Sequence, residues 1–223
     1  ERLPNTLMLA GAALGVSLLL GIPMGVIQAL RRGGPLDHAL SLLSAVGLAV
    51  PVFWLGIVLI LVFAVSLHVL PSAGIASVGD DSFGDRLAHL VLPAAALAST
   101  ILPTVVRFMR SAMLEVLHED YVRTATSKGL APRVVVTRHA LRNAINPMVT
   151  LFGFSLAALL SGSFLVEVVM NWPGLARVTV DAVFARDEPL VMASILMATL
   201  LLVAGNVVAD LLLVVVDPRI RVA

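Results

Sequence analysis

Apolar residues run through this chain in long blocks, and the polar residues between them gather in short clusters. A membrane helix needs about 20 mostly apolar residues, and such runs extend over roughly residues 6–30, 38–67, 87–109, 147–170 and 189–216. Between the third and fourth lies the one long polar stretch, residues 111–146, reading SAMLEVLHEDYVRTATSKGLAPRVVVTRHALRNAIN. Within it Met113, Val116, Leu117, Tyr121 and Ala125 recur at three- and four-residue intervals, which predicts a helix from Met113 to Lys128 with an apolar stripe on one face. Gly129 can end that helix in a left-handed conformation, and Pro132 suits the first turn of the next. Val134, Val135, Leu141 and Ile145 give the second helix its own stripe. The pattern predicts a bent, two-helix element held between two membrane spans.

The spans carry their own punctuation. The first contains Gly11 and Gly15, then Gly21 and Gly25, with Pro23 inside the second pair. Small residues four apart let another helix approach closely, although glycine is also simply common in membrane helices. Pro51 near the middle of the second span predicts a kink, since proline removes a backbone hydrogen bond. His68 lies near the outer end, an interfacial position. Residues 71–86, with Asp80, Asp81 and Asp85, read as an exposed extracytoplasmic loop. Pro93 and Pro103 mark the third span as a helix built to bend, and its small residues predict that it packs inside the bundle.

Pro147 opens the fourth span, whose centre holds Ser155, Ser161, Gly162 and Ser163, more useful toward a pathway or a helix contact than toward lipid. Glu167, near the outer end, is a functional candidate as an acid close to the bilayer. The competing reading is that an interfacial helix end keeps its carboxylate wet. Asn171-Trp172-Pro173-Gly174 predicts a turn at the interface, where tryptophan is at home, followed by a short amphipathic helix over 175–184. In the last span Asn206 and Asp210 are four apart and share a face. Asp210 lies roughly 10 Å above the cytoplasmic end at 1.5 Å per residue. Interhelical bonding and contact with substrate or gate both account for such a pair.

Composition agrees with a polytopic membrane protein. Of the 223 residues 59% are hydrophobic and 13% charged, and the mean hydropathy is +1.02, whereas an ordinary soluble domain is roughly a quarter charged. There is no cysteine, which excludes disulfides and thiol chemistry. The net charge of +1 carries no signal for nucleic acid, because the 15 basic residues are parked by topology. Arg31, Arg32, Arg107, Arg110, Arg123, Lys128, Arg133, Arg138, Arg142, Arg219 and Arg221 fall on one side; Arg2, Arg86, Arg177 and Arg186 fall on the other. Basic residues accumulate on the cytoplasmic side, so the 111–146 stretch and the C-terminus are expected there. Five spans put the N-terminus outside, and one preceding helix would restore an even count.

The residues of the polar stretch also carry a likeness. Asp120-Tyr121-Val122-Arg123-Thr124-Ala125, then Lys128-Gly129-Leu130, then Arg138-His139-Ala140-Leu141-Arg142-Asn143-Ala144 resemble the coupling loop of inner-membrane permeases of ATP-driven importers, nearest to the oligopeptide, dipeptide, nickel and glutathione group. The wider family carries EAA, three residues, Gly, nine residues, then IxLP. Here Arg123-Thr124-Ala125 stands in place of EAA, Gly129 falls at the expected spacing, and the IxLP positions hold His139, Leu141 and Arg142, a departure that the peptide-importer branch shares. The resemblance implies an all-α polytopic fold in a single transmembrane domain, with five of an expected six spans and the coupling loop at 111–146. It implies a permease of the bacterial inner membrane that imports a peptide or related solute by alternating access. The implied partners are a second, paralogous permease, two cytoplasmic ATP-binding subunits that hold the ATP and magnesium, and an extracytoplasmic substrate-binding protein. Asp120, Tyr121, Arg123, Thr124, Ala125, Lys128, Gly129 and Leu130 would meet the ATPase, with Tyr121 and Ala125 packing into its groove. Ser155, Ser161, Glu167, Asn206 and Asp210 are the pathway or gate candidates.

The chain carries no phosphate-binding GxxxxGK[ST] loop, no HExxH and no GxSxG. His38, His68, His89, His118 and His139 are scattered over different loops and ends, which argues against a metal site. ATP hydrolysis is therefore expected in a partner. The competing class is an ion-driven secondary transporter or channel, for which paired intramembrane charges and an internal repeat are expected. Only Asp210 lies clearly inside a span, and no such repeat is evident.

Overall fold

The structure is a computed structural model that describes residues 2–80 and 82–216; the side chains at 147, 149–154, 156, 157, 161, 209, 210 and 212–216 lie outside the described residues. The chain is helical nearly throughout: α1 Leu3–Leu30, α2 Pro35–Ala49, α3 Val52–Leu59, α4 Phe83–Val116, α5 Asp120–Ser127, α6 Pro132–Val134, α7 Leu141–Ala144, α8 Asn146–Val169, α9 Leu175–Ala185 and α10 Glu188–Val216. Wide π-helical turns continue α3 through Ile60–Ser66 and join α6 to α7 through Val135–Ala140.

Among the described residues three helices are long and apolar enough to cross a membrane by themselves: α1, the 34-residue α4, and α10 over Glu188–Val208. The fourth expected span is α8, 24 residues long. The second is not one kinked helix. Its halves, α2 and α3, meet at 104°. The ring of Pro51 disfavours a helical conformation at the residue before it, and Val50 is extended at φ −80°, ψ 123°. Without helical geometry at that residue the chain breaks instead of bending.

α4 is the axis of the bundle. α1 lies along it, burying Leu9, Ala13, Ser17, Gly21 and Gly25 on one face. A Cβ on Gly21 would stand 2.6 Å from Val105, and one on Gly25 would stand 2.6 Å from Met109 and 2.7 Å from the Val106 carbonyl. Only hydrogen allows the two helices this spacing. The outer pair, Gly11 and Gly15, meets no neighbour within 4 Å, so one of the two glycine pairs makes the contact. Pro93 and Pro103 are buried inside an unbroken α4, with Pro103 against Gly47 of α2.

Two apolar clusters divide the bundle along its length. One gathers Leu9, Leu97, Leu159, Val166, Met170 and Trp172; the other gathers Ala29, Val105, Met109, Met113, Ala140 and Met148. Each end is closed by polar bonds. At one end the indole N–H of Trp172 donates to the Asn5 carbonyl at 3.0 Å, and Asn5 donates to the Pro173 carbonyl at 2.8 Å. Trp172 is fully buried there, a staple across α1 and the α8–α9 turn. The loop carrying Asp80 closes on this same end, with Gly74 N–H bonded to the Met170 carbonyl at 3.3 Å. Residues 117–145 sit at the opposite end.

Candidate coupling site

The expected two-helix element is present, with its break in a different place. α4 runs unbroken to Val116, the chain turns at Leu117–Glu119, and α5 begins at Asp120. No glycine or proline marks this turn. Its cause is tertiary: Val122, Ala125 and Val135 are buried together, with Val116 and Leu117 packed against them. A helix continued straight from Met113 to Lys128 would carry Val122 and Ala125 into water.

The second turn is the one the sequence predicts. Lys128 N–H bonds to Thr124 and Gly129 N–H to Thr126, and Gly129 takes φ +76°, a left-handed conformation that costs a residue with a Cβ roughly 1–2 kcal/mol. Ala131 is extended, as suits the residue before Pro132. The chain then returns through the π-helical turn to α7. Asn143 donates to the Tyr121 hydroxyl at 2.8 Å, which ties the two limbs together.

This packing sorts the predicted contact residues. Tyr121, Arg123, Thr124, Lys128, Gly129 and Leu130 are exposed, as is Asp120, which lies 3.8 Å from Arg123 in a loose surface pair. Ala125 is 5% exposed and belongs to the hairpin's own core, so its expected packing into a partner's groove is corrected. Val122, buried beside it, was missed; the stripe drawn through Tyr121 is one position out. On the return limb Val134 and Ile145 face outward, while Ala140 and Ala144 turn in against α4.

The hairpin is fastened to the spans by two means. Ala140, Ala144 and Met148 share one apolar cluster with Met109, Ala112 and Met113 of α4 and Ala29 of α1. Beside that cluster the Arg110 guanidinium grips the Asp37 carboxylate through both oxygens. Asp37 also accepts from Gly33 N–H at 2.9 Å, and the buried Gln28 amide donates to the Asp37 carbonyl and to Ser41. The ends of α1, α2 and α4 thus form one polar knot under the hairpin. Nothing in the sequence singled out Asp37; its signal was its place three residues after Gly34, inside the first turn of a helix.

The predicted pathway residues are not brought together. Ser155 is buried, Asn206 is exposed on α10, and the side chains of Ser161 and Asp210 lie outside the described residues. Glu167 is fully buried rather than wet. Its Oε2 accepts the Ala176 N–H at 2.8 Å, so a carboxylate from α8 caps the N-terminus of α9, where the helix dipole favours negative charge. Gly174 leaves room for it, since a Cβ there would overlap the carboxylate. Thr6 accepts the next free N–H, from Leu175, at 3.0 Å. Among the described residues no group of His, Asp or Glu is placed to hold a metal.

A helical bundle whose central span runs into a packed hairpin at the basic end, opposite an acidic loop, is the fold of known transporter membrane subunits. Solved structures share this fold: the inward-facing methionine ABC transporter MetNI superposes with TM-score 0.68 over 93% of each chain at 18% identity. An amino acid ABC transporter superposes with TM-score 0.65 over 95% of this chain and 91% of that one, also at 18% identity.

The family described as "binding-protein-dependent transport system inner membrane component" matches residues 21–222, and the chain belongs to that family. It is 41% identical to the oligopeptide transport system permease protein AppB of Bacillus subtilis (strain 168), over 99% of this chain and 70% of that protein. It is 39% identical to the dipeptide transport system permease protein DppB of Escherichia coli (strain K12), over 99% of this chain and 71% of that protein. The chain is a multi-pass permease subunit of an ATP-driven importer of the inner membrane, working with other components of such a transporter; it is not an enzyme. The ion-driven alternative is thereby set aside.

Proposed function

We propose that this chain forms half of the translocation pathway of a peptide importer, as one transmembrane domain with a cytoplasmic C-terminus. Its partners are a paralogous second permease, two cytoplasmic ATPase subunits that bind ATP with magnesium, and an extracytoplasmic peptide-binding protein. The observation that carries the reading is the hairpin itself: a packed core of Val122, Ala125 and Val135 inside, and a polar outer surface of Asp120, Arg123, Thr124 and Lys128. Such an element can be held by a soluble partner and displaced as a unit. The names of the relatives support peptides as the cargo.

Force reaching the hairpin has a rigid route into the bilayer. The hairpin shares an apolar cluster with α4, α4 grips α2 through Arg110 and Asp37, and α1 lies against α4 through Gly21 and Gly25. Closure of two ATPase subunits on ATP would draw paired hairpins together and tilt these spans from inward-open to outward-open; hydrolysis would release them. For this cycle ATP must bind the closed arrangement more tightly than the open one. Tyr121 and Leu130 would supply the apolar contacts of the docking surface, and Arg123 and Lys128 its polar rim. Ser155, Glu167, Asn206 and Asp210, with Ser161, remain the pathway and gate candidates. The test is reconstitution in proteoliposomes with the neighbouring permease, ATPase and binding-protein subunits. Uptake of tri-alanine that requires ATP and the binding protein is expected; uptake by the permeases alone would overturn the proposal.

A further inference from the structure

At its cytoplasmic half α4 faces neighbouring helices on two sides. Val105 and Met109 pack on α1, and Leu102, Pro103 and Val106 look toward α2 and α3. A further face carries Thr104, Arg107, Phe108 and Ser111, which border an open surface pocket of about 350 Å³. Thr104, Arg107 and Ser111 stand at intervals of three and four, one polar strip down an apolar helix. Arg107 is exposed, and among the described residues its guanidinium has no hydrogen-bond or ion-pair partner, in contrast to Arg110 one turn away, which is committed to Asp37.

A second pocket of about 260 Å³ also borders this side chain, lined by Gln28, Ser41, Ala45, Arg107 and Arg110. Gln28 is 1% exposed, and its Oε1 has no partner. A buried carbonyl oxygen left in that state is costly unless water reaches it, and an open pocket of this size admits water. An uncommitted arginine at the cytoplasmic end of a span reaches water or an anion, not hydrocarbon. Both pockets thus border Arg107, and the groups offered there include its guanidinium fork and the hydroxyls of Thr104, Ser111 and Ser41, with no carboxylate among the residues bordering either pocket. That set receives an anion, and a guanidinium matches the two oxygens of a carboxylate.

We propose that the Thr104, Arg107 and Ser111 face of α4 lines the cytoplasmic half of the translocation pathway, and that Arg107 receives the terminal carboxylate of the peptide on its way to release. The carboxylate role rests on the peptide reading above; the lining role does not. Because the chain has no cysteine, single cysteines report their surroundings cleanly. In the reconstituted complex, Thr104→Cys and Ser111→Cys are expected to react with a membrane-impermeant thiol reagent added from the cytoplasmic side, while Leu19→Cys, an exposed apolar position on α1, does not. An unreactive Thr104→Cys would mean that the strip faces lipid, with Arg107 reaching for phosphate headgroups, and would overturn the proposal. Arg107→Gln is expected to lower tri-alanine uptake about tenfold, the effect of losing roughly 1.4 kcal/mol. It should also abolish protection of Thr104→Cys by millimolar tri-alanine, with Arg107→Lys recovering part of both. Arg107→Gln transporting at the wild-type rate, in a complex that takes up tri-alanine, overturns the carboxylate role alone. A wild-type complex that takes up no peptide removes the peptide reading and the carboxylate role together, and the thiol labelling still decides the lining role.

Discussion

Asp37 and Arg110 meet as two parallel bonds, Nε to Oδ1 at 2.9 Å and Nη2 to Oδ2 at 2.8 Å, with the Asp37 side chain 6% exposed. Bidentate geometry of this kind fixes orientation as well as distance. The pair joins the start of α2 to α4 immediately before Ala112 and Met113, which belong to the hairpin's cluster. Anything that moves the hairpin therefore moves α2. Asp37→Ala or Arg110→Ala should let ATP hydrolysis continue while uptake falls, because the broken span no longer follows α4. The exchanged pair, Asp37→Arg with Arg110→Asp, should recover part of the uptake lost by either single change. The ratio of peptide transported to ATP hydrolysed in proteoliposomes measures this, and equal ratios in all four proteins would remove the mechanical role.

Gly129 offers a sharper separation of folding from coupling. Its side of the turn is empty, with no atom within 4 Å of the place a Cβ would take, so the obstacle to substitution is backbone conformation alone. At φ +76° alanine costs about 1 kcal/mol and a β-branched residue more. Gly129→Val should therefore shift the turn and uncouple uptake from hydrolysis, whereas Gly129→Asn, which tolerates left-handed geometry, should keep most of the activity. Loss of uptake in the valine variant and retention in the asparagine variant is the expected pattern.

Ala125 and Arg123 are two residues apart and face opposite ways, one into the hairpin core and one into solvent. Ala125→Leu overfills a packed site and should destabilise the hairpin by roughly 1–3 kcal/mol, seen as earlier protease cleavage within 117–145. Arg123→Glu should leave that cleavage unchanged and weaken co-purification with the ATPase subunits. If both residues met the ATPase directly, both variants would lose co-purification with no change in proteolysis.

How far the sequence disclosed these features follows a physical line. Gly129 and Pro132 dictate backbone conformation locally, so the second turn of the hairpin was legible from the residues alone. The first turn was not, because it exists only to bury Val122 and Ala125 on Val135, a contact between residues ten or more apart. Pro51 announced a disturbance but not its size, since a proline fixes the geometry before it while the neighbouring helices decide how far the chain swings. Asp37 and Arg110 are 73 residues apart, and no local pattern connects them. Periodicity placed the helices; only packing could say which polar residues had been spent on one another.

The capping of α9 by Glu167 yields a prediction in which two harmful changes offset each other. Removing the carboxylate in Glu167→Ala leaves the Ala176 N–H without its acceptor inside the fold, at a cost of about 1–3 kcal/mol. Gly174→Ala should cost a similar amount for a different reason: its methyl occupies the space of the carboxylate and drives it off the helix end. Once position 167 is alanine, the methyl at 174 has room, and the second penalty has nothing left to act on. The double variant should therefore melt close to Glu167→Ala alone, well above the sum of the two losses, as residues in direct contact are expected to behave. Thermal unfolding of the four purified complexes measures the coupling. Strict additivity would mean that the carboxylate of Glu167 is held elsewhere and that α9 owes its start to Thr6 and the Trp172 staple.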